Sequence, residues 1–243
     1  MTATDLRTIG VLGGMSSEST VTYYRQIDRA IADALGGHTT GDLLIRSVDF
    51  GDIERFIRTD QWDAAGDYLA EAATALEAGG ADFVVMATNT MHKVAPAITS
   101  ALSVPFVHIL DATADAVRDA GVDTVGVLGT EETMAGSFYR DRLADHGLDV
   151  VVPEPADREA VDRIIFEELT KGAIRDASRE RYLEVVDSLV AAGAEGVVLG
   201  CTEIELLIEQ ADRPAVPMFD TTALHVERAV EHALGERPLA SDG

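Results

Sequence analysis

"VVLGCTEIE", residues 197–205, holds the only cysteine of the chain at the end of an apolar run, and residues 84–92, "VVMATNTMH", read as its copy with Thr88 in the place of the thiol. A short apolar run that breaks off into small polar groups is the pattern of a buried parallel strand delivering its carboxyl end to a turn. The resemblance extends outward from both strand ends. "ALEAGGADFVVMAT" ends at Thr88 and "SLVAAGAEGVVLGC" at Cys201, 113 residues later; "TIGVLGG" from Thr8 matches "TVGVLGT" from Thr124, 116 residues on; "VPFVHILDATADAV" from Val104 matches "VPMFDTTALHVERAV" from Val216, 112 residues on. Three ordered matches at nearly one spacing point to a duplicated βα unit. Ligands of α/β folds bind outside the carboxyl ends of the strands, and two such halves are expected to meet about a pseudo-twofold axis, which would bring Thr88 and Cys201 to opposite sides of one cleft.

Strands are expected at 8–13, 42–48, 82–87, 104–109, 124–129, 150–153, 196–200 and 216–219, with helices between them, the alternation of an α/β protein with parallel sheet. Leu69, Ala72, Ala73 and Leu76 share one helical face, as do Leu183, Val186, Leu189 and Val190, and both helices stop at glycine.

The composition bounds the partners. With 43 acidic residues against 19 basic ones the net charge is −24, and only Lys93 and Lys171 are lysines. Such a surface excludes nucleic acid and anionic membrane as partners and resembles proteins that work in concentrated salt. There is no run of 18 apolar residues and no signal-peptide pattern at the start, so a cytoplasmic location is expected. One cysteine rules out an intrachain disulfide and a multi-cysteine zinc site; Cys201 is either a buried small hydrophobe or a reactive thiol. No metal site is expected.

"TEIELLIEQ" after Cys201 reads as a helix, whose N-terminus would favour the thiolate. Thr88, Asn89 and Thr90 are small polar groups at a strand-to-helix turn, either plain N-caps or a substrate-facing cluster. His92, one turn further, is either a core histidine or a base. "GVLGGMSSEST" lacks both the dinucleotide glycine pattern and the P-loop lysine, but Gly13 and Gly14 would let backbone approach a ligand closely. Turns at Met15, Asn89 and Thr202 would then present backbone N–H groups to a carboxylate, and Arg46, Arg55 and Arg58, after the second strand, are either solvated or a fork for a second carboxylate.

"LGGMSSEST", "VMATNTMH" and "GCTEI", with "SVDF", "IIFEEL" and "FDTTALH", resemble the aspartate/glutamate racemase family, the amino acid racemases that work without pyridoxal phosphate. The resemblance runs essentially end to end. It implies two pseudo-symmetric, flavodoxin-like α/β halves, residues 1–100 with 217–243 and residues 101–216, with the active site between them. It also implies two opposed bases and no cofactor. The usual pair is two cysteines; threonine in the first motif is similar to the branch described as L-aspartate/glutamate racemases. By that match Cys201 takes the α-proton of the L-substrate and Thr88 belongs to the donor side. The substrate-binding set is then Met15, Asn89, Thr90, Thr202 and Glu203, with Arg55, Arg58 and Lys171 as candidates for the distal carboxylate. The partner implied is a small acidic amino acid, and a homodimer is the family's habit. Rival readings are a single-cysteine arylmalonate-type decarboxylase, a maleate-type isomerase, and an amino acid binding protein that has lost a base.

Overall fold

The computed structural model describes residues 6–236. Its first sheet contains β1 (Ile9–Gly13), β2 (Leu43–Ser47), β3 (Phe83–Met86) and β4 (Phe106–Val107), all parallel, in the order β2-β1-β3-β4. Between the strands lie α1 (Ser17–Leu35), α2 (Phe50–Arg58), α3 (Trp62–Ala78) and α4 (Ala95–Ala101). The chain continues through α5 (Ile109–Asp119) into a second parallel sheet of β5 (Thr124–Gly129), β6 (Asp149–Val151), β7 (Gly196–Gly200) and β8 (Met218–Asp220). Its order, β6-β5-β7-β8, repeats that of the first. Here α6 (Glu131–Ala135), α7 (Ser137–Asp145), α8 (Pro155–Glu167) and α9 (Asp176–Ala191) intervene, and α10 (Thr221–Leu234) is the last helix among the described residues. The protein is an α/β fold of two compact units, residues 1–109 with 225–243 and residues 110–224, so β4 stays with the first sheet and β8 with the second.

The central strands β1, β3 and β7 are buried at every position, which is why they read as unbroken apolar runs rather than alternating ones. One face of the first sheet packs on Ile53, Leu69, Ala73, Leu76 and Ile98. On another apolar cluster Ile9, Val11 and Val85 meet Tyr23, Ile27 and Ile31 of α1, together with Val226, Ala229 and Ala233 of α10. In the second unit Leu128, Val197 and Leu199 pack against Val161, Ile164, Ile165, Tyr182, Val186 and Leu189.

The duplication is visible in how the layers touch. A Cβ on Gly10 would come within 2.9 Å of Ala81 Cβ and 3.2 Å of Leu76 Cβ, and one on Gly126 within 2.9 Å of Leu189 Cδ1, so each first strand needs glycine where the following long helix presses on the sheet. The helices after these strands start alike: Ser16 accepts the amide of Ser19, and Thr130 that of Thr133.

The buried face of α3 is the expected one. That of α9 is rotated: Tyr182, Val185, Val186 and Leu189 are buried, Leu183 is half-buried and Val190 is exposed. The large Tyr182 side chain, whose hydroxyl donates to the Val161 carbonyl at 3.0 Å, takes the core position.

Candidate active site

Thr88 lies two residues beyond β3, and Cys201 directly follows β7, so each follows the carboxyl end of an interior strand of its own sheet. Each strand end is therefore built at the same place in its own unit by the same βα topology.

In the first unit Thr88, Asn89 and His92 are buried and Thr90 is half-buried. The polypeptide leaves β3 in a 3-10 turn, Thr90–Val94, before α4, and Asn89 makes no side-chain capping bond to that turn. Plain N-capping is therefore not the role of Asn89. His92 lies under the turn: its Nδ1 is 2.7 Å from the Thr88 carbonyl oxygen, and the amide of Ile109 donates to its Nε2 at 3.3 Å. Met15 is buried on the loop between β1 and α1. The glycines of that loop meet a packing need of the fold. Gly14 has φ +90°, and a Cβ there would lie 2.2 Å from the carbonyl oxygen of Val48, so the close approach is to the chain leaving β2; the Gly14 amide is spent on Thr20 Oγ1 at 2.8 Å. A Cβ on Gly13 would strike Thr20 at 2.6 Å.

In the second unit Cys201 is half-buried. Its Sγ–H donates to Glu203 Oε2 at 3.0 Å, and Thr202 Oγ1 donates to the same oxygen at 2.7 Å. No α-helix follows. Residues Ile204–Leu206 form one 3-10 turn, so the thiol has no helix N-terminus to stabilise its anion. Burial, followed by the negative charge and hydrogen bond of Glu203, pushes the thiol well above its ordinary range, the opposite of the depressed value read from the sequence. Glu205, half-buried, hydrogen-bonded to Asp220 and close enough to feel the charge of Glu203, is pushed up to about 9. Tyr139 and Tyr182, fully buried, are raised by burial and then by the charge that Cys201 would carry as a thiolate. Tyr139 carries its hydroxyl to 3.0 Å from where a Cβ of Gly200 would stand, packing the residue before the thiol. These carboxyls and tyrosines were not singled out by sequence reading; Glu205 and Asp220 are 15 residues apart and look like ordinary surface acids.

The cationic candidates stand on the surface. Arg55 pairs with Asp52 at 2.8 Å and lies over the ring of Phe56, and Arg58 pairs with Glu54 at 2.6 Å, all on α2. Arg46 donates to the carbonyl of Ser47 at 3.1 Å and is exposed. Lys171 is exposed in the turn Leu169–Lys171 that follows α8. Lys93 rests its Nζ 3.6 Å from the centroid of Trp62. Among the described residues no group of three or more His, Cys, Asp or Glu is arranged to hold a metal ion, and no helix is long and apolar enough to cross a membrane.

Two like strand ends, one with a thiol facing a carboxylate and one with a Thr-Asn-Thr turn whose first two residues are buried, on two sheets of like order, define a duplicated α/β enzyme. The chain belongs to the Asp/Glu/hydantoin racemase family, a class of isomerases, which it matches over residues 12–229. It is similar to the crystal structure of a candidate Asp/Glu racemase from Yersinia pestis, with 45% identity and a TM-score of 0.90 over 94% of this chain and 100% of that one. It is also similar to the aspartate racemase homologue PH1733 from Pyrococcus horikoshii, with 36% identity and a TM-score of 0.83 over the same shares. The broad specificity amino-acid racemase RacX of Bacillus subtilis is 25% identical over 225 residues, 88% of this chain and 93% of that protein.

Proposed function

We propose that this protein racemises an acidic amino acid, aspartate or glutamate, without a cofactor, Cys201 removing the α-proton of the L-isomer and the Thr88 side returning a proton to the other face. The observation that carries this reading is the Sγ–H of Cys201 directed at Glu203 Oε2, 3.0 Å away, at the carboxyl end of an interior strand. A thiol held protonated at rest must lose its proton before it can act as a base, and the Sγ–H contact to Glu203 marks the direction in which that proton points. A high thiol pKa has a use as well: the thiolate, once formed, is a stronger base toward a weakly acidic C–H.

Met15, Asn89, Thr90 and Thr202 are the donors proposed to hold the α-carboxylate, preorganised for the charge that builds up as the proton leaves. Arg55, Arg58 or Lys171 takes the distal carboxylate. All three are exposed side chains, and the two arginines hold only neighbours on their own helix, pairs weak enough to exchange for a substrate.

Incubation with a panel of L- and D-amino acids in D2O and molar KCl, followed by chiral chromatography and mass spectrometry, tests the proposal. α-Deuterium should enter L-aspartate or L-glutamate and the D-isomer should accumulate, and Cys201→Ser should abolish both while ligand binding persists. Binding without exchange would reduce the protein to an amino acid binder. Near-normal exchange in Cys201→Ser would move the base elsewhere.

A further inference from the structure

Two histidines in the first unit are buried to 2% (His92) and 0% (His225) exposure, and both grip the segment by which the chain leaves that unit. Their hydrogen bonds fix their protonation. The amide of Ile109 can only donate, so His92 Nε2, 3.3 Å away, carries a lone pair; the Thr88 carbonyl can only accept, so His92 Nδ1, 2.7 Å away, carries the proton. His225 is the mirror case. Its Nε2 faces the Val107 carbonyl at 2.8 Å and so carries the proton, and its Nδ1 is 2.7 Å from the hydroxyl of Tyr23.

The positions held are specific. Ile109 is the last residue of the first unit before the chain crosses to the second, and His225 the first residue on its return. Thr88 is the strand end proposed to face the substrate. We propose that His92 is a positioning residue: a neutral imidazole protonated on Nδ1 that ties the Thr88 strand end to the crossing segment at Ile109, so that the Thr88 turn keeps one geometry. His92 is not placed to move a proton itself, because both ring nitrogens are occupied by backbone groups. This separates it from the general base that its sequence position suggests. Its surroundings support a fixed ring: His108 packs edge-on with centroids 4.5 Å apart, Phe106 at 5.6 Å and His225 at 6.0 Å.

The bearing on turnover rests on the racemase reading, whereas the bond itself does not, and the experiment keeps the two apart. Long-range ¹H–¹⁵N spectra of labelled wild type should show His92 with protonated Nδ1 and bare Nε2; a proton on Nε2 would overturn the proposal, whatever the enzyme does. Three variants then dissect the bond. Asparagine at this position keeps a donor near the place of Nδ1, glutamine keeps an acceptor near that of Nε2, and leucine keeps neither. Amide exchange at Ile109 should quicken at least about 10-fold in His92→Leu and His92→Asn but stay within about 3-fold in His92→Gln, the size expected for one buried hydrogen bond. The kcat for the L-substrate should fall at least about 10-fold in His92→Leu with KM changed less than about 3-fold, and His92→Asn should recover most of the loss, since it still holds the Thr88 carbonyl. Unchanged kcat in His92→Leu, or no recovery in a folded His92→Asn, would make the histidine mere filling. A wild type that does not racemise at all would sink the proposed function and leave the spectra and the exchange to decide the bond.

Discussion

Sγ of Cys201 stands 3.0 Å from Oε2 of Glu203, an oxygen that also accepts the hydroxyl of Thr202 at 2.7 Å. The only thiol of the chain therefore rests against a carboxylate, which together with burial holds it protonated. Alkylation by iodoacetamide should be slow at pH 7.5 and climb steadily with pH beyond the range of a free thiol. In Glu203→Gln one of the two main opposing effects is gone, and the rate at pH 7.5 should rise about 10-fold. A slower or unchanged rate would show that burial alone sets the thiol.

Glu205 gives a test in stability. Unfolded, its carboxyl titrates near 4.3; folded, burial and then Asp220 push it up to about 9. The folded state thus keeps a proton that the unfolded state has lost, so the associated stability is full below the lower value and is lost as pH rises toward the upper one. Glu205→Gln has no such proton to lose. Its Tm should match wild type near pH 4.5 and exceed it by about 3 °C or more at pH 8, as followed by circular dichroism.

Thr88→Cys is expected to raise kcat for the D-isomer more than for the L-isomer, because a hydroxyl yields essentially no anion near neutral pH whereas a thiol yields a fraction of basic thiolate. The ratio of kcat/KM in the two directions stays bound to an equilibrium constant near unity, so any handedness appears in kcat and KM separately. Equal kcat values for both isomers, unmoved by Thr88→Cys, would leave Thr88 a structural residue.

Salt should stabilise the fold. With a net charge of −24, like charges repel across the surface until the medium screens them, and the exposed Arg–Asp and Arg–Glu pairs contribute little in return. The midpoint of thermal unfolding should rise between 0.1 M and 2 M KCl. A flat or falling midpoint would remove the idea of a salt-adapted surface.

Two glycines with positive φ should answer differently to alanine. Gly14 (φ +90°) would place a Cβ 2.2 Å from the Val48 carbonyl oxygen, whereas Gly36 (φ +74°) has nothing within 4 Å. Gly14→Ala should cost upwards of about 4 kcal/mol in urea unfolding and Gly36→Ala only about 2, the strain of an extended conformation with positive φ and ψ near 180°.

Much of the fold is legible because burial leaves a periodic mark. Strands covered on both faces must be apolar throughout, and the duplicated glycines Gly10 and Gly126 stand where a helix leaves no room for a Cβ. The buried face of α9 lies one position away from the one its periodicity predicts, because Tyr182 takes the core position by filling more volume than Val190 and finding a carbonyl for its hydroxyl.

The α/β class, the duplication and the two unlike strand ends at Thr88 and Cys201 can be read from the order of residues alone, since each is written in residues close together in the chain and in spacings that recur. The electrostatic character of those ends emerges only on folding. The stretch after Cys201 is a 3-10 turn rather than a helix, Glu203 turns back onto the thiol, Glu205 meets Asp220, and His92 spans Thr88 and Ile109. Proton affinities depend on burial and on charges and hydrogen bonds within a few ångströms, and those neighbours are chosen by how the chain packs, not by its order.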